Sequence, residues 1–215
     1  MSDSQYIDIS YPIHKDMAIY PGNPAYSREI VSDIDKGDGA TVSRIIIGSH
    51  TGTHIDAPAH FIQGGKTLDW IPLERMNGKA KVIDATGYND IGVDLIKTHS
   101  IDEDDIVLFR TDNSICWSCD RILDRHVTIT YEAAEFLVQC GIKLVGIDYL
   151  TIERPRELRE QGRSIHKTLL GNDILICEAL MLKDVCEGEY EFLCMPLKME
   201  HSDGSPSRCV LKSIR

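Results

Sequence analysis

The sequence predicts a mixed α/β fold with more strand than helix, organised as one domain over residues 1–215. Three observations carry that expectation. Segments rich in β-branched residues and bounded by Gly, Pro or Asp crowd the N-terminal part, a strand–helix–strand passage occupies the middle, and two strand-like runs close the chain. At 215 residues and 42% hydrophobic content the chain can bury one substantial core, and no repeat, low-complexity tract or linker divides it.

In chain order, strands are expected at "YIDIS" (Tyr6 to Ser10), "YSREIVSDI" (Tyr26 to Ile34), "TVSRIIIGS" (Thr41 to Ser49) and "KAKVIDA" (Lys79 to Ala85). "DIVLFRT" (Asp105 to Thr111) reads as a buried strand. A helix follows from Tyr131 to Cys140, with Thr130 as its cap and Gly141 as its stop, and "KLVGID" (Lys143 to Asp148) is the next strand. Such a crossover makes a parallel, right-handed pair. Ser164 then caps a short helix, "IHKTLLG", ended by Gly171, before the strand "ILICEAL" (Ile174 to Leu180). "YEFLCMPLKM" and "SPSRCVLKSI" read as two final strands joined through the turn "SDG".

Charge and composition exclude several classes of function. With 34 acidic against 23 basic residues, a formal charge of −11 repels a phosphate backbone or an anionic lipid surface. There is no basic start followed by an apolar run, and no segment approaches the roughly 18 unbroken apolar residues of a membrane helix. We therefore expect a soluble, cytoplasmic protein with neither nucleic acid nor membrane as partner. Seven scattered cysteines suit free thiols in a reducing compartment. Cys116 and Cys119 form a C-x-x-C, but Cys140, Cys177, Cys186, Cys194 and Cys209 supply no second pair, which argues against a zinc ribbon. "DEDD" (Asp102 to Asp105) reads as a solvated loop. "GGKT" (Gly64 to Thr67) imitates a phosphate loop, yet His60 stands where that motif needs glycine.

The chemistry concentrates in "GSHTGTHIDAPAHF", Gly48 to Phe61. Of the eight histidines in the chain, three (His50, His54 and His60) fall in this stretch, with Asp56 among them. Histidine is the commonest metal ligand and the side chain most ready to move protons near neutral pH. Four residues of extended strand span ~13 Å, too far for His50 and His54 to share an ion at ~2.0–2.1 Å from each ring nitrogen. The chain must turn between them, and Gly52 can take the positive φ of a tight turn. His54 and Asp56, two apart, share one face of a short extended piece. Ala57 and Pro58 fit the cap and first position of a short helix that carries His60 back towards the others.

Three ligands are too few to close a structural site and suit a catalytic one, so further ligands belong downstream. His166 opens the second helix, and Glu178 interrupts an apolar strand, where a buried charge is costly unless paired or metal-bound. By sequence alone Glu178 reads equally well as the exposed face of an edge strand, and His166 is no more decisive.

"HTGTHIDAPAHF" closely resembles the H-x-G-T-H-x-D-x-P-x-H signature of the cyclase-like metal-dependent hydrolases, a family that includes bacterial kynurenine formamidases (arylformamidases) and isatin hydrolases. The resemblance extends to "DISYPIHKDMAIYPGNP" (Asp8 to Pro24), "LFRT" (Leu108 to Thr111), "GIDYLTIE" (Gly146 to Glu153), "DGSPSRCVL" (Asp203 to Leu211), and the H-x11-E spacing of His166 and Glu178. It implies a swivelling β/β/α fold, a homo-oligomer (dimer or tetramer), and one or two divalent ions, zinc first and manganese second. By position, His50, His54 and Asp56 would hold the first ion. Asp56 would bridge to a second, held also by His166 and Glu178, with His60 as general acid/base. The implied activity is hydrolysis of a small-molecule amide by metal-activated water, N-formylkynurenine to kynurenine and formate in tryptophan catabolism. The alternative is ring opening of a lactam or lactone, or cyclase or dehydratase chemistry. Thr53 departs from the alanine common in bacterial kynurenine formamidases, matching the broader family instead. Tyr20, Asn23, Phe61 and Trp70 are candidate substrate contacts.

Overall fold

In the computed structural model, which describes residues 6–118, 125–154 and 163–214, alternating apolar runs build a sheet buried on both faces. The strands of the described residues are β1 (Tyr6–Asp8), β2 (Ser27–Ser32), β3 (Val42–Ile46), β4 (His54–Asp56), β5 (Gly78–Asp84), β6 (Asp90–Ile91), β7 (Ile106–Arg110), β8 (Thr128–Ile129), β9 (Leu144–Ile147), β10 (Leu175–Glu178), β11 (Gly188–Pro196) and β12 (Gly204–Ser213), of which β2 with β3 and β6 with β8 form two separate two-stranded sheets. The helices are α1 (Val93–Lys97), α2 (Tyr131–Cys140) and α3 (Ile165–Leu170). The main sheet runs β1-β12-β11-β5-β7-β9-β10-β4, and β4 pairs again with the first residues of β12. Seven strands thereby close into a barrel-like sheet, and β1 lies along the far end of β12. The β5, β7, β9 and β10 neighbours are parallel, while β11, β12 and β4 join antiparallel. The mixed, strand-rich architecture is the expected one.

Local sequence explains the helix ends. Thr130 Oγ1 accepts from the Ala133 N–H at 3.1 Å, and Gly141 ends α2 in the left-handed region at φ 71°. Ser164 Oγ caps α3 by accepting from the Lys167 N–H at 3.3 Å. The expected strand to Ile34 stops at Ser32, because the Asp33 side chain accepts from the Asp35 N–H and caps a 3-10 turn instead. Asp105 departs from the solvated-loop reading of "DEDD": it is buried and lies 2.7 Å from the Lys81 ammonium. Cys119, half of the C-x-x-C pair, lies outside the described residues.

Period-two alternation divides the apolar side chains between two layers. Ile106 and Leu108 of β7 pack inside the barrel with Ile55, Leu144, Leu175 and Phe192. Val107 and Phe109 pack outside against Ala133 and Leu137 of α2 and Leu169 of α3. The same rule places the polar groups. Cys177 of β10 points into the barrel, so Ile176 and Glu178 face the helices. On β4, Ile55 points inward, and His54 and Asp56 share the helix side. Strand β10 lies between β9 and β4, so Glu178, only 3% exposed, is not on an edge strand. Among the described residues, no helix is long and apolar enough to cross a membrane.

Gly146 of β9 faces a part of the barrel interior that has no room for a side chain. A Cβ there would meet Leu108 Cδ2 at 2.6 Å and Leu180 Cδ1 at 2.7 Å. Gly146→Ala is expected to lower stability by roughly 1–3 kcal/mol through overpacking. Urea unfolding checks this; a midpoint equal to that of the parent protein contradicts it.

Candidate metal centre

The barrel's closing strand carries the site. The chain turns between His50 and His54 at Gly52, whose φ is 66°, as the spacing required. Register then sets His54 of β4 directly opposite Glu178 of β10, and Asp56 opposite both Ile176 and Gly204. Ala57 caps a 3-10 turn, Pro58–His60, that brings His60 over the same face. His166, in the first turn of α3, comes down onto that face from the helix layer. All six residues singled out from the sequence, His50, His54, Asp56, His60, His166 and Glu178, meet in one place.

Their atoms fall into two sets that share one carboxylate. His50, His54 and Asp56 present ligand atoms within 4.8 Å of one another, and so do Asp56, His166 and Glu178. His54 Nε2 lies 3.4 Å from Asp56 Oδ1 and 3.5 Å from Glu178 Oε2; His166 Nε2 lies 3.2 Å from Glu178 Oε1 and 3.7 Å from Asp56 Oδ2. The opposite ring nitrogens meet outer partners. His54 Nδ1 donates to the Gly52 carbonyl at 2.8 Å, and His166 Nδ1 lies 3.2 Å from Glu153 Oε2. His50 is held at both ends, by Asp56 Oδ1 at 2.8 Å from Nδ1 and Asp203 Oδ2 at 2.9 Å from Nε2. One nitrogen inward and the other anchored outside is how metal-binding histidines are oriented.

A fit test comes from Asp56 itself. It is fully buried, and its Oδ2 has no hydrogen-bond partner. An orphaned carboxylate oxygen in such a place is costly unless a cation takes it. The donor set of imidazole and carboxylate fits zinc or manganese, and these residues could hold one or two ions.

The electrostatics agree. Burial would lower the His54 pKa, but Asp56 and Glu178 outweigh it and raise the ring to about 10. For His166, burial is likewise overcome by Glu153 and Glu178, again to about 10. Burial would raise the Asp56 carboxyl, yet His50 and His54 hold it well below the ordinary carboxylate range. His60 differs. Burial drives its pKa below 6.5, the pull of Asp56 offsetting this only in part, so its ring is neutral at pH 7 and free to accept a proton.

His60 stands apart from the two sets in position as well. Its ring stacks on His50 at 3.9 Å, with Nδ1 3.5 Å from Asp203 Oδ2, and it lines a cavity of about 420 Å³. Tyr20, Asn23 and Phe61 line the same cavity, and the Phe61 ring stacks on His166 at 4.3 Å. Trp70 does not: it is 75% exposed on a separate 3-10 turn. Thr53 points away from the cavity. Its hydroxyl accepts from the Tyr11 N–H at 2.7 Å and donates to the Ala179 carbonyl at 2.5 Å, so the departure at this position concerns the scaffold. Sequence reasoning missed Glu153 and Asp203 as members of the site. Both sit in stretches shared with the family, but no spacing relates either to a histidine 13 or 153 residues away.

Comparison with known proteins follows the same line. Residues 7–154 match the cyclase family, described as "Putative cyclase". A kynurenine formamidase of Bacillus mycoides (strain KBAB4) is 31% identical over 214 residues, covering 100% of both chains. A "predicted metal-dependent hydrolase from Bacillus stearothermophilus" is 38% identical with a TM-score of 0.82, over 96% of this chain and 97% of that one. Isatin hydrolase A from Labrenzia aggregata shares the fold, with a TM-score of 0.84 at 24% identity over 96% and 92% of the two chains. The buried donor set on the closing strand thus has its context: the chain belongs to the cyclase family of metal-dependent hydrolases.

Proposed function

We propose that residues 1–215 form one hydrolase domain that cleaves N-formylkynurenine to kynurenine and formate. The observation that carries this reading is the pair of donor sets sharing Asp56, with a neutral His60 beside them on the cavity wall. Full-length kynurenine formamidases near 30% identity support the choice of amide. His50, His54 and Asp56 would hold one divalent ion; Asp56, His166 and Glu178 would hold a second. Zinc is the first choice and manganese the second. When bound, such an ion lowers the pKa of its water from 15.7 towards about 7 and polarises the carbonyl under attack.

The chain's own residues do the rest. Gly52 O and Asp203 hold the outer nitrogens of His54 and His50, and the Glu153 carboxylate sits 3.2 Å from that of His166, which favours one nitrogen of each ring facing inward. His60 takes a proton from the attacking water and returns it to the nitrogen of the leaving aryl amine, which departs more readily once protonated. Phe61 offers an apolar wall for an aryl ring. The exposed apolar residues of the β2–β3 ribbon, Val31, Ile45 and Ile46, support a homo-oligomer.

Metal analysis joined to turnover of N-formylkynurenine, with and without chelator, tests the proposal. Activity should fall with metal content and return on adding zinc or manganese. His60→Ala should keep the metal and lose about 10²- to 10⁴-fold in rate, whereas His54→Ala should lose both. Full activity after complete metal removal, or in His60→Ala, overturns the mechanism. A clear preference for isatin or a lactone in parallel assays would replace the amide substrate with a cyclic one.

In protein stripped of metal, the raised pKa values of His54 and His166 stabilise the fold fully below about pH 6.5, and that contribution fades as pH climbs towards about 10. Both rings are therefore charged at neutral pH and must shed protons to accept an ion. Calorimetry in buffers of different ionisation enthalpy should record proton release on metal uptake, with affinity rising with pH. Uptake without proton release at neutral pH contradicts this.

Light scattering should return a mass at a multiple of the 24.1 kDa chain. Charged substitutions at Val31 and Ile45 should shift it towards monomer, and a monomeric parent protein removes the oligomer from the proposal.

A further inference from the structure

The cavity beside the donor sets has two unlike ends. Its floor is buried and carries carboxylates: Glu153 and Glu178 lie there with His54 and His166. Its mouth carries Arg163 and Lys167, both exposed, and among the described residues these are the only arginine and lysine that line it. Chain order explains the placement. Arg163 immediately precedes Ser164, the cap of α3, and Lys167 follows His166 in the first turn, so the helix start that lowers His166 onto the donor sets also brings both cations to the opening. Phe61 and Leu150 line the same cavity and give it an apolar wall.

Neither cation is needed by the protein around it. Among the described residues no carboxylate pairs with the Lys167 ammonium. Arg163 stacks its guanidinium over the Tyr131 ring at 4.9 Å and meets Glu132 at 3.5 Å, a pair in which both side chains are more than half exposed. Such contacts steady the guanidinium but leave donors of its five-donor fork for a ligand. The nearest floor carboxylate, Glu153, is already held by the Ser164 hydroxyl at 3.1 Å and the His166 N–H at 3.0 Å. In a chain of net charge −11, two such cations at the opening of a hydrolase cavity fit an anionic group on the ligand. An arginine fork beside a lysine point charge is suited to a carboxylate. We propose that Arg163 and Lys167 are specificity-determining residues that bind a carboxylate at the far end of the substrate from the carbonyl under attack. This deepens the amide hydrolysis proposed above and rests on it for the substrate: N-formylkynurenine carries such a carboxylate, whereas isatin and simple lactones carry none.

The zinc-loaded protein is given N-formylkynurenine and N-formylkynuramine, which lacks only the carboxylate. The parent protein should favour the first in kcat/KM by about tenfold, the scale of two partly exposed ion pairs. That preference runs against the net charge of the chain, which attracts the more cationic second compound. With Arg163→Gln and Lys167→Gln combined, the ratio should fall towards unity, mainly through a higher KM for N-formylkynurenine, while metal content and the circular dichroism spectrum match the parent. Raised ionic strength should erode the parent's ratio. Lys66→Gln, which removes a surface ammonium paired with Asp173, should leave the ratio as it is. Calorimetric binding of the products, kynurenine and kynuramine, should repeat the pattern. This binding arm decides the proposal even where neither formamide is cleaved, an outcome that overturns the hydrolysis and not the carboxylate site. A preference absent from the parent protein, or one that survives the double substitution, overturns the proposal.

Discussion

The burial of the Asp56 carboxylate governs the rest of the structure. It lies at the end of β4, the strand whose double pairing to β10 and β12 closes the barrel, and it has no access to water. A bare carboxylate in such a position would cost many kcal/mol of solvation and would take up a proton instead. It stays ionised because His50 and His54 surround it, with His166 beyond. The closure of the barrel and the charge of the site are therefore one constraint.

Charge balance would allow this site to exchange protons for metal. Two inner carboxylates, Asp56 and Glu178, face two imidazoles whose raised pKa values keep them protonated when no ion is bound. One divalent ion held there would replace those two positive charges without altering the balance. The burial penalty is met either way, and the barrel scaffold need not move. Proton uptake and metal uptake compete for the same nitrogens.

The barrel wall keeps this chemistry apart from the core by alternation alone. Along β10, consecutive side chains pass from Ile176 to Cys177 to Glu178, from helix layer to barrel interior and back. One strand thus serves an ionic cluster on one face and an apolar one on the other. Asp203 extends the ionic face, joining His50 to His60 through a single carboxylate oxygen. The histidine proposed to move the proton is in this way tied to one proposed to hold the metal.

Local signals in the sequence were enough for much of this. Helix α2 was legible to the residue, because Thr130 and Gly141 satisfy its end groups with short-range bonds. The turn at Gly52 and the shared face of His54 and Asp56 follow from strand geometry over a few residues. Glu178 stayed ambiguous, since whether β10 is internal or at an edge depends on β4 and β9, far away in the chain. Glu153 and Asp203 escaped notice for the same reason. The sequence by itself determined α2 and α3, though not α1, together with most strands and the donors carried on one short turn-and-strand segment, all of which rest on contacts within a few residues. Only the tertiary structure decided which distant groups face those donors, because barrel closure and strand register are set by packing over the whole chain.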